Sequence, residues 1–259
     1  VVLVVPGYGG RTGWAAPLAE KLLPSHPLVY GLNLKAMDAD PAERMPFNGA
    51  DDLMAEIREA LAALRQAHRG PITLVSTSVG GLLSTLVASE RPEGLSSLVL
   101  IAPAWRPSRD LVNPLIYLQS AGRWVLQRMG LRKGKHFTLP NVEPVAAPAG
   151  TDPAKAKREN AMVVTPGMML SFLKTAYFKR IFKQMGQITL PTLVVVPGQD
   201  KMCSPESMRT GFAALGSTQK QIVELPQARH NLIRDAEIGP LSDSIAQWLK
   251  QATVVPSAS

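Results

Sequence analysis

Six short apolar runs are spread along this chain, and most are separated by segments with helical periodicity. They read "VVLVV" (1–5), "PLVYGLNL" (27–34), "ITLVST" (72–77), "LSSLVLIAP" (95–103), "TLVVVPG" (192–198) and "KQIVEL" (220–225). Strands this apolar are covered on both faces, and strands that alternate with helices run parallel, because a parallel crossover needs a helix's worth of chain. The intervening segments supply those helices. One is expected from about Trp14 to Leu23, with Thr12 as its cap. Another runs from about Ala50 to His68, with Leu53, Ile57, Leu61 and Leu64 on one face and Gly70 as its stop. A third follows Pro205, and the last carries Leu241, Ile245, Trp248 and Leu249. The fold class predicted is α/β, a mostly parallel sheet with helices on both faces. A chain of 259 residues is long enough for one such core with an inserted subdomain.

The alternation breaks between Pro103 and Pro191. Here "LIYLQSAGRWVLQRMGLRKG" (115–134) and "TPGMMLSFLKTAYFKRIFKQMG" (165–186) read as basic amphipathic helices, the second capped by Thr165, with Pro166 in its first turn and Gly186 at its end. Between them, "LPNVEPVAAPAGTDPAKAKREN" reads as a long mobile connection. The predicted organisation is a core of residues 1–103 and 189–252, an inserted helical cap of residues 104–188, and a frayed tail of residues 253–259.

Charge follows the same division. The net charge is +8, yet Ala104 to Ile188 holds 14 Lys/Arg against 4 Asp/Glu, and the remainder of the chain is slightly acidic. A basic block of this kind suits an anionic surface, so peripheral contact with anionic lipid is one expectation and a merely solvated face the other. No nucleic-acid recognition motif accompanies the basicity, and no nucleic-acid partner is expected. The same segment holds 8 of the 14 aromatic residues, with Phe172, Tyr177, Phe178 and Phe182 as a stripe, which suits an apolar pocket under a lid. No uncharged apolar run approaches the roughly 20 residues of a membrane span. No signal peptide is recognisable, although the chain opens on Val1 inside a strand. Cys203, the single cysteine, excludes an internal disulfide and is expected as a buried small residue rather than a nucleophile. A cytoplasmic home is the expectation.

The chemistry is concentrated where strands end. In "ITLVSTSVGGLL" (72–83) a strand passes into a helix with no room for a loop. So sharp a join needs small residues, which Ser76, Gly80 and Gly81 provide, and it leaves Ser78 at the apex as a candidate nucleophile. Asp200, in "PGQDKM", follows the next-to-last strand, and His230, in "PQARHNL", follows the last. In open parallel sheets ligands bind at the carboxyl ends of strands, so the three residues are expected to meet there. His26, His68 and His136 lack such surroundings. Glu206 and Asp235 are rival acids, but Asp200 stands closest to its strand end.

With "PGYGG", "STSVGG", "PGQDKMCSPE" and "QARHNL" in place, the chain resembles the α/β-hydrolase superfamily, in particular its carboxylesterase and monoacylglycerol-lipase-like branch. The resemblance runs from Val1 to about Ala252. It implies a helical cap after the sixth strand of the fold and a serine hydrolase acting on a small-molecule acyl ester, such as a monoacylglycerol or lysophospholipid. Ser78 would be the nucleophile, His230 the base and Asp200 the acid. The backbone N–H groups of Tyr8 and Val79 would form the oxyanion hole, with no cofactor and no metal. Two positions depart from the family pattern: Pro6 stands where a His is usual, and Ser76 replaces the elbow's first Gly. The strands that commonly precede "VVLVV" have no counterpart in this sequence. Thioesterase, amidase, peptidase and non-catalytic binding remain alternatives on the same scaffold. The sequence sets no oligomeric state.

Overall fold

The computed structural model describes residues 1–8, 16–24, 26, 28–35, 50–108, 114–130, 137–139, 162–164, 181–232 and 238–252. Their elements, in chain order, begin with β1 (Val2–Val5), α1 (Ala16–Leu22), β2 (Val29–Gly31), α2 (Ala50–Ala67), β3 (Ile72–Thr77), α3 (Ser78–Ala88) and β4 (Leu95–Ile101). Then come α4 (Pro114–Arg128), β5 (Phe137–Leu139), β6 (Met162–Val164), β7 (Thr192–Pro197), α5 (Pro205–Ala214), β8 (Lys220–Leu225) and α6 (Ile238–Ala252). Six strands form one sheet in the order β2-β1-β3-β4-β7-β8, and every neighbouring pair is parallel. This is the doubly covered α/β architecture that the alternating runs predict.

Side chains on a strand alternate between faces, and the core divides accordingly. Leu3, Val5, Leu74, Leu98, Leu100, Val194 and Val196 face one way, into a cluster with α2 and α3 that also takes in Trp105, Met185 and Met208. Val2, Val4, Val75, Val99, Ile101, Leu193 and Val195 face the other way, against Leu18 and Leu22 of α1 and Leu241, Ile245, Trp248 and Leu249 of α6. Each fully buried aliphatic side chain contributes about 1.5–3 kcal/mol, so two such layers fix the strand register firmly. That register brings the carboxyl ends of β1, β3, β4, β7 and β8 to one edge of the sheet.

Residues 104–188 lie in sequence between β4 and β7, adjacent strands of the sheet, and the described residues among them add no strand to it. Here the structure differs from the sequence reading in one respect. The segment includes a short antiparallel pair, β5 with β6, in which Phe137 faces Val164 and Leu139 faces Met162. Leu139 was expected to open the long connection, and it belongs to this pair instead. Three-residue strands are too short to leave a periodic signal, which is why the sequence reads as loop at that point. The first of the two basic helices is present as α4. Most of the second, together with His136, Asp235 and the tail from 253 to 259, lies outside the described residues. Among the described residues, no helix is long and apolar enough to cross a membrane.

Candidate active site

The join between β3 and α3 is as tight as its small residues suggest. Thr77 is still extended, at φ −121° and ψ 145°, and Ser78 then turns into the left-handed region at φ +51°. A non-glycine residue there costs about 1–2 kcal/mol, so the neighbouring structure has to hold it. Three close approaches do so. A Cβ on Gly80 would stand 2.4 Å from the carbonyl oxygen of Pro6, one on Gly7 would stand 2.8 Å from Cβ of Ser78, and one on Gly81 would stand 3.1 Å from Pro103. The N–H of Ala104 also donates to the carbonyl oxygen of Ser78 at 2.9 Å. Ser76 is fully buried beneath this turn, and its hydroxyl finds no hydrogen-bond partner among the described residues.

Asp200 leaves β7 through a turn held by β8. The N–H of Gly198 donates to the carbonyl of Leu225 at 2.9 Å, and that of Gln199 to the carbonyl of Ala228 at 3.0 Å. A Cβ on Gly198 would stand 2.6 Å from the carbonyl oxygen of Pro226, so the two loops run in contact. One oxygen of Asp200, Oδ1, accepts from the N–H groups of Met202 at 2.8 Å and Cys203 at 2.7 Å. The other, Oδ2, lies 2.7 Å from Nδ1 of His230, and Nε2 of that ring lies 2.8 Å from Oγ of Ser78.

These contacts assign the tautomer. A carboxylate can only accept, so Nδ1–H donates to Asp200 and the neutral ring presents Nε2 as an acceptor for the Ser78 hydroxyl. The carboxylate is fully buried and the imidazole is 7% exposed. Burial by itself depresses the imidazole's pKa. The adjacent Cys203 and Asp200 outweigh it, and the pKa lies well above the ordinary histidine value of 6.5. Serine, imidazole and carboxylate thus form one hydrogen-bonded series running from the partly exposed Ser78 inward, an arrangement able to move a proton from Oγ to Nε2.

The structure brings Ser78, Asp200 and His230 together; Val79 lies in the first turn of α3, and Tyr8 follows Gly7, which packs against Ser78. Glu206 stands in the first turn of α5, exposed. His68 pairs instead with the hydroxyl of Tyr30 at 2.9 Å. Cys203 is buried, as expected. Its Sγ nevertheless stands within 4.8 Å of ligand atoms of both Asp200 and His230, a group of three metal-ligand types. The carboxylate and imidazole of that group are already bonded to each other. Three groups went unnoticed in the sequence. The Met202 and Cys203 amides act through backbone and so leave no side-chain signature. Ser108, described below, lies in a segment that reads only as the beginning of the insert. Of the aromatic stripe, Phe182 lies among the described residues. It packs half-buried against the core, with the guanidinium of Arg106 4.6 Å above its ring.

A family model described as serine aminopeptidase, S33, matches residues 1–237. Monoglyceride lipase of Mus musculus is 23% identical over 244 residues, covering 91% of this chain and 76% of that protein. Among solved structures, monoacylglycerol lipase of Paleococcus ferrophilus matches with a TM-score of 0.73 at 23% identity, over 97% of this chain and 94% of that one. A soluble variant of monoglyceride lipase from Saccharomyces cerevisiae, in complex with a substrate analog, matches with a TM-score of 0.72 at 14% identity, over 98% and 87%.

Proposed function

The chain belongs to the serine aminopeptidase S33 family of α/β-hydrolases, and from that premise we propose that it cleaves carboxylic esters through an acyl-enzyme on Ser78. The observation that carries the reading is the unbroken series from Ser78 Oγ through His230 to Asp200, at 2.8 and 2.7 Å. A neutral serine hydroxyl is a poor nucleophile. As Oγ attacks the ester carbonyl, Nε2 of His230 takes its proton, and Asp200 holds the tautomer and stabilises the imidazolium. The oxyanion of the tetrahedral intermediate is held by the N–H groups of Tyr8 and Val79, each such donor being worth roughly 3–4 kcal/mol. The imidazolium then protonates the leaving alkoxide. Water, deprotonated by the same base, releases the acid.

The substrate class follows from the composition of the insert and from the relatives. Residues 104–188 act as a cap, and their share of the aromatic residues, 8 of 14, suits an acyl chain. The relatives named lipases support esters of small amphiphiles, with a monoacylglycerol as the model substrate. On α4 Leu118, Val125 and Leu126 are exposed, as is Met129 just after it, and contact with anionic lipid is the partner this reading includes. Amide cleavage is the second reading, favoured by the family's own description as an aminopeptidase.

One experiment separates them. Purified protein is assayed on matched esters, thioesters and aminoacyl anilides, with monoacylglycerols of graded chain length, and then treated with a fluorophosphonate probe. Esters are expected to turn over fastest, with labelling of Ser78 that Ser78→Ala abolishes together with turnover. Faster cleavage of the anilides overturns the ester assignment. Labelling that persists in Ser78→Ala, at Ser76 for example, overturns the nucleophile.

A further inference from the structure

The chain leaving β4 is hydrogen-bonded to the backbone of the nucleophile and to the loop that carries the acid. Ala102 turns out of the strand at φ +47°. Ala104 donates to the carbonyl of Ser78. Trp105 is fully buried, and its Nε1–H donates to Oγ1 of Thr85 on α3 at 3.0 Å; that hydroxyl in turn donates to the carbonyl of Gly81 at 2.6 Å. Two residues on, the strap pairs antiparallel with the acid loop, Pro107 opposite Cys203, with the N–H of Ser204 donating to the carbonyl of Arg106 at 3.0 Å.

Ser108 closes this pairing in a particular way. Its N–H donates to the carbonyl of Met202 at 2.9 Å, and its Oγ donates to the carbonyl of Lys201. Those carbonyls belong to the Lys201–Met202 and Met202–Cys203 peptide groups. The N–H ends of the same two peptide groups, on Met202 and Cys203, are the donors to Oδ1 of Asp200. Each peptide is therefore held at both ends, by the carboxylate on one side and by Ser108 on the other. A peptide whose carbonyl accepts a hydrogen bond is polarised and donates more strongly from its N–H, and its plane is no longer free to tilt.

We infer that Ser108 is a positioning residue: it aims the two peptide N–H groups that orient Asp200, and through Asp200 it sets the imidazole of His230. Ser108 is 7% exposed and acts through bonds that lead to the imidazole. Its loss should therefore lower kcat and leave KM unchanged. The inference rests on the reading of Asp200 and His230 as acid and base, and Asp200→Asn is the reference for that reading.

The test is Ser108→Ala, with Ser108→Cys as a volume-conserving second variant that keeps the backbone donor and weakens the side-chain one. For Ser108→Ala, kcat on a short-chain ester should fall about tenfold, the scale of one or two hydrogen bonds, with KM unchanged. The downfield proton resonance of His230 Nδ1–H should move upfield as its bond to Asp200 loosens. The acidic limb of the rate profile should move to lower pH, because Asp200, one of the two groups facing the ring with Cys203, supports the imidazolium less well. Ser108→Cys should move all three in the same direction by less, and it carries the test if the alanine variant does not fold. If kcat, the proton resonance and the profile stay at wild-type values while Asp200→Asn is crippled, Ser108 is merely structural and the inference fails. If Asp200→Asn itself turns over normally, the acid assignment fails instead, and a shifted resonance in Ser108→Ala then supports the positioning of Asp200 alone.

Discussion

Gly80 lies so close to the end of β1 that a Cβ on it would stand 2.4 Å from the carbonyl oxygen of Pro6 and 2.8 Å from that of Val5. The nucleophile's helix and the strand leading to Tyr8 therefore pack backbone to backbone. Both obstructing atoms are main-chain oxygens at the end of a central strand, so neither can swing aside. Gly80→Ala should destabilise the fold by about 2–3 kcal/mol, the usual cost of forcing a methyl into a filled space. It should also displace Gly7 and Tyr8 and lower kcat. Urea unfolding and turnover are the measurements. A variant with wild-type midpoint and rate would mean that the two backbones tolerate separation.

Asp200→Asn replaces an acceptor facing Nδ1 with a group that can donate. The amide oxygen can still satisfy the Met202 and Cys203 donors, which turns the amide nitrogen toward the ring and favours the tautomer that carries its proton on Nε2. That ring cannot take the proton of Ser78. Turnover should fall by on the order of 10⁴ with the fold retained, and His230→Ala should fall at least as far. The double variant should lose little more, because the two act as one unit. Normal turnover in Asp200→Asn, beside a crippled Glu206→Gln or Asp235→Asn, would reassign the acid.

Activity and stability should respond to pH in opposite senses through His230. Its folded pKa lies above the ordinary value of 6.5, where Cys203 and Asp200 overcome burial. The base must be neutral, so the acidic limb of kcat/KM should have its midpoint above 6.5. Protonation, by contrast, favours the folded state. That contribution is fully present below the unfolded value and is lost as pH rises through the folded one. In Asp200→Asn, burial meets less opposition, so the residual limb should move down. A limb at or below 6.5 in the wild-type protein would contradict the raised pKa.

Much of this arrangement was legible because parallel sheets simplify the problem. Ser78 and His230 are 152 residues apart, yet Ser78 directly follows one strand and His230 comes shortly after another, and the carboxyl ends of parallel strands share one edge. No contact had to be known in advance. What stayed hidden acts through backbone or through its absence of pattern. Ser108 bonds to carbonyls, the Met202 and Cys203 donors are amides, and β5 and β6 are three residues each. Ser76 is a subtler case: the sequence presents it as small enough for the elbow, but burial makes its hydroxyl a liability.

That liability can be measured. Ser76 is completely buried and its Oγ has no partner among the described residues, so folding strips the hydroxyl of water without compensation. Such a group costs about 1–3 kcal/mol. Ser76→Ala keeps the Cβ that the site already holds and removes the oxygen. It should raise the midpoint of urea unfolding by the equivalent of about 1 kcal/mol. A lower midpoint would mean that the hydroxyl is satisfied after all.

The exposed face of α4 makes the lipid reading testable. Leu118, Val125, Leu126 and Met129 are 71%, 45%, 41% and 63% exposed. At 100° per residue they fall within one stripe along the helix and its final turn, and Arg123 and Arg128 fall on its two flanks. An apolar stripe between basic flanks can lie in a headgroup layer, with arginine stems along the acyl boundary and guanidinium groups among phosphates. Each basic residue adds on the order of 1 kcal/mol near an anionic surface, and salt weakens that part. Co-sedimentation with vesicles should therefore be stronger for anionic than for zwitterionic lipid and should fall at high salt. Leu118→Glu with Met129→Glu should abolish it while leaving hydrolysis of a water-soluble short-chain ester unchanged. Arg123→Glu with Arg128→Glu should remove only the salt-sensitive part. Equal recovery with both lipids, indifferent to salt and to either pair of substitutions, would make the stripe an ordinary exposed helix face with no part in substrate capture.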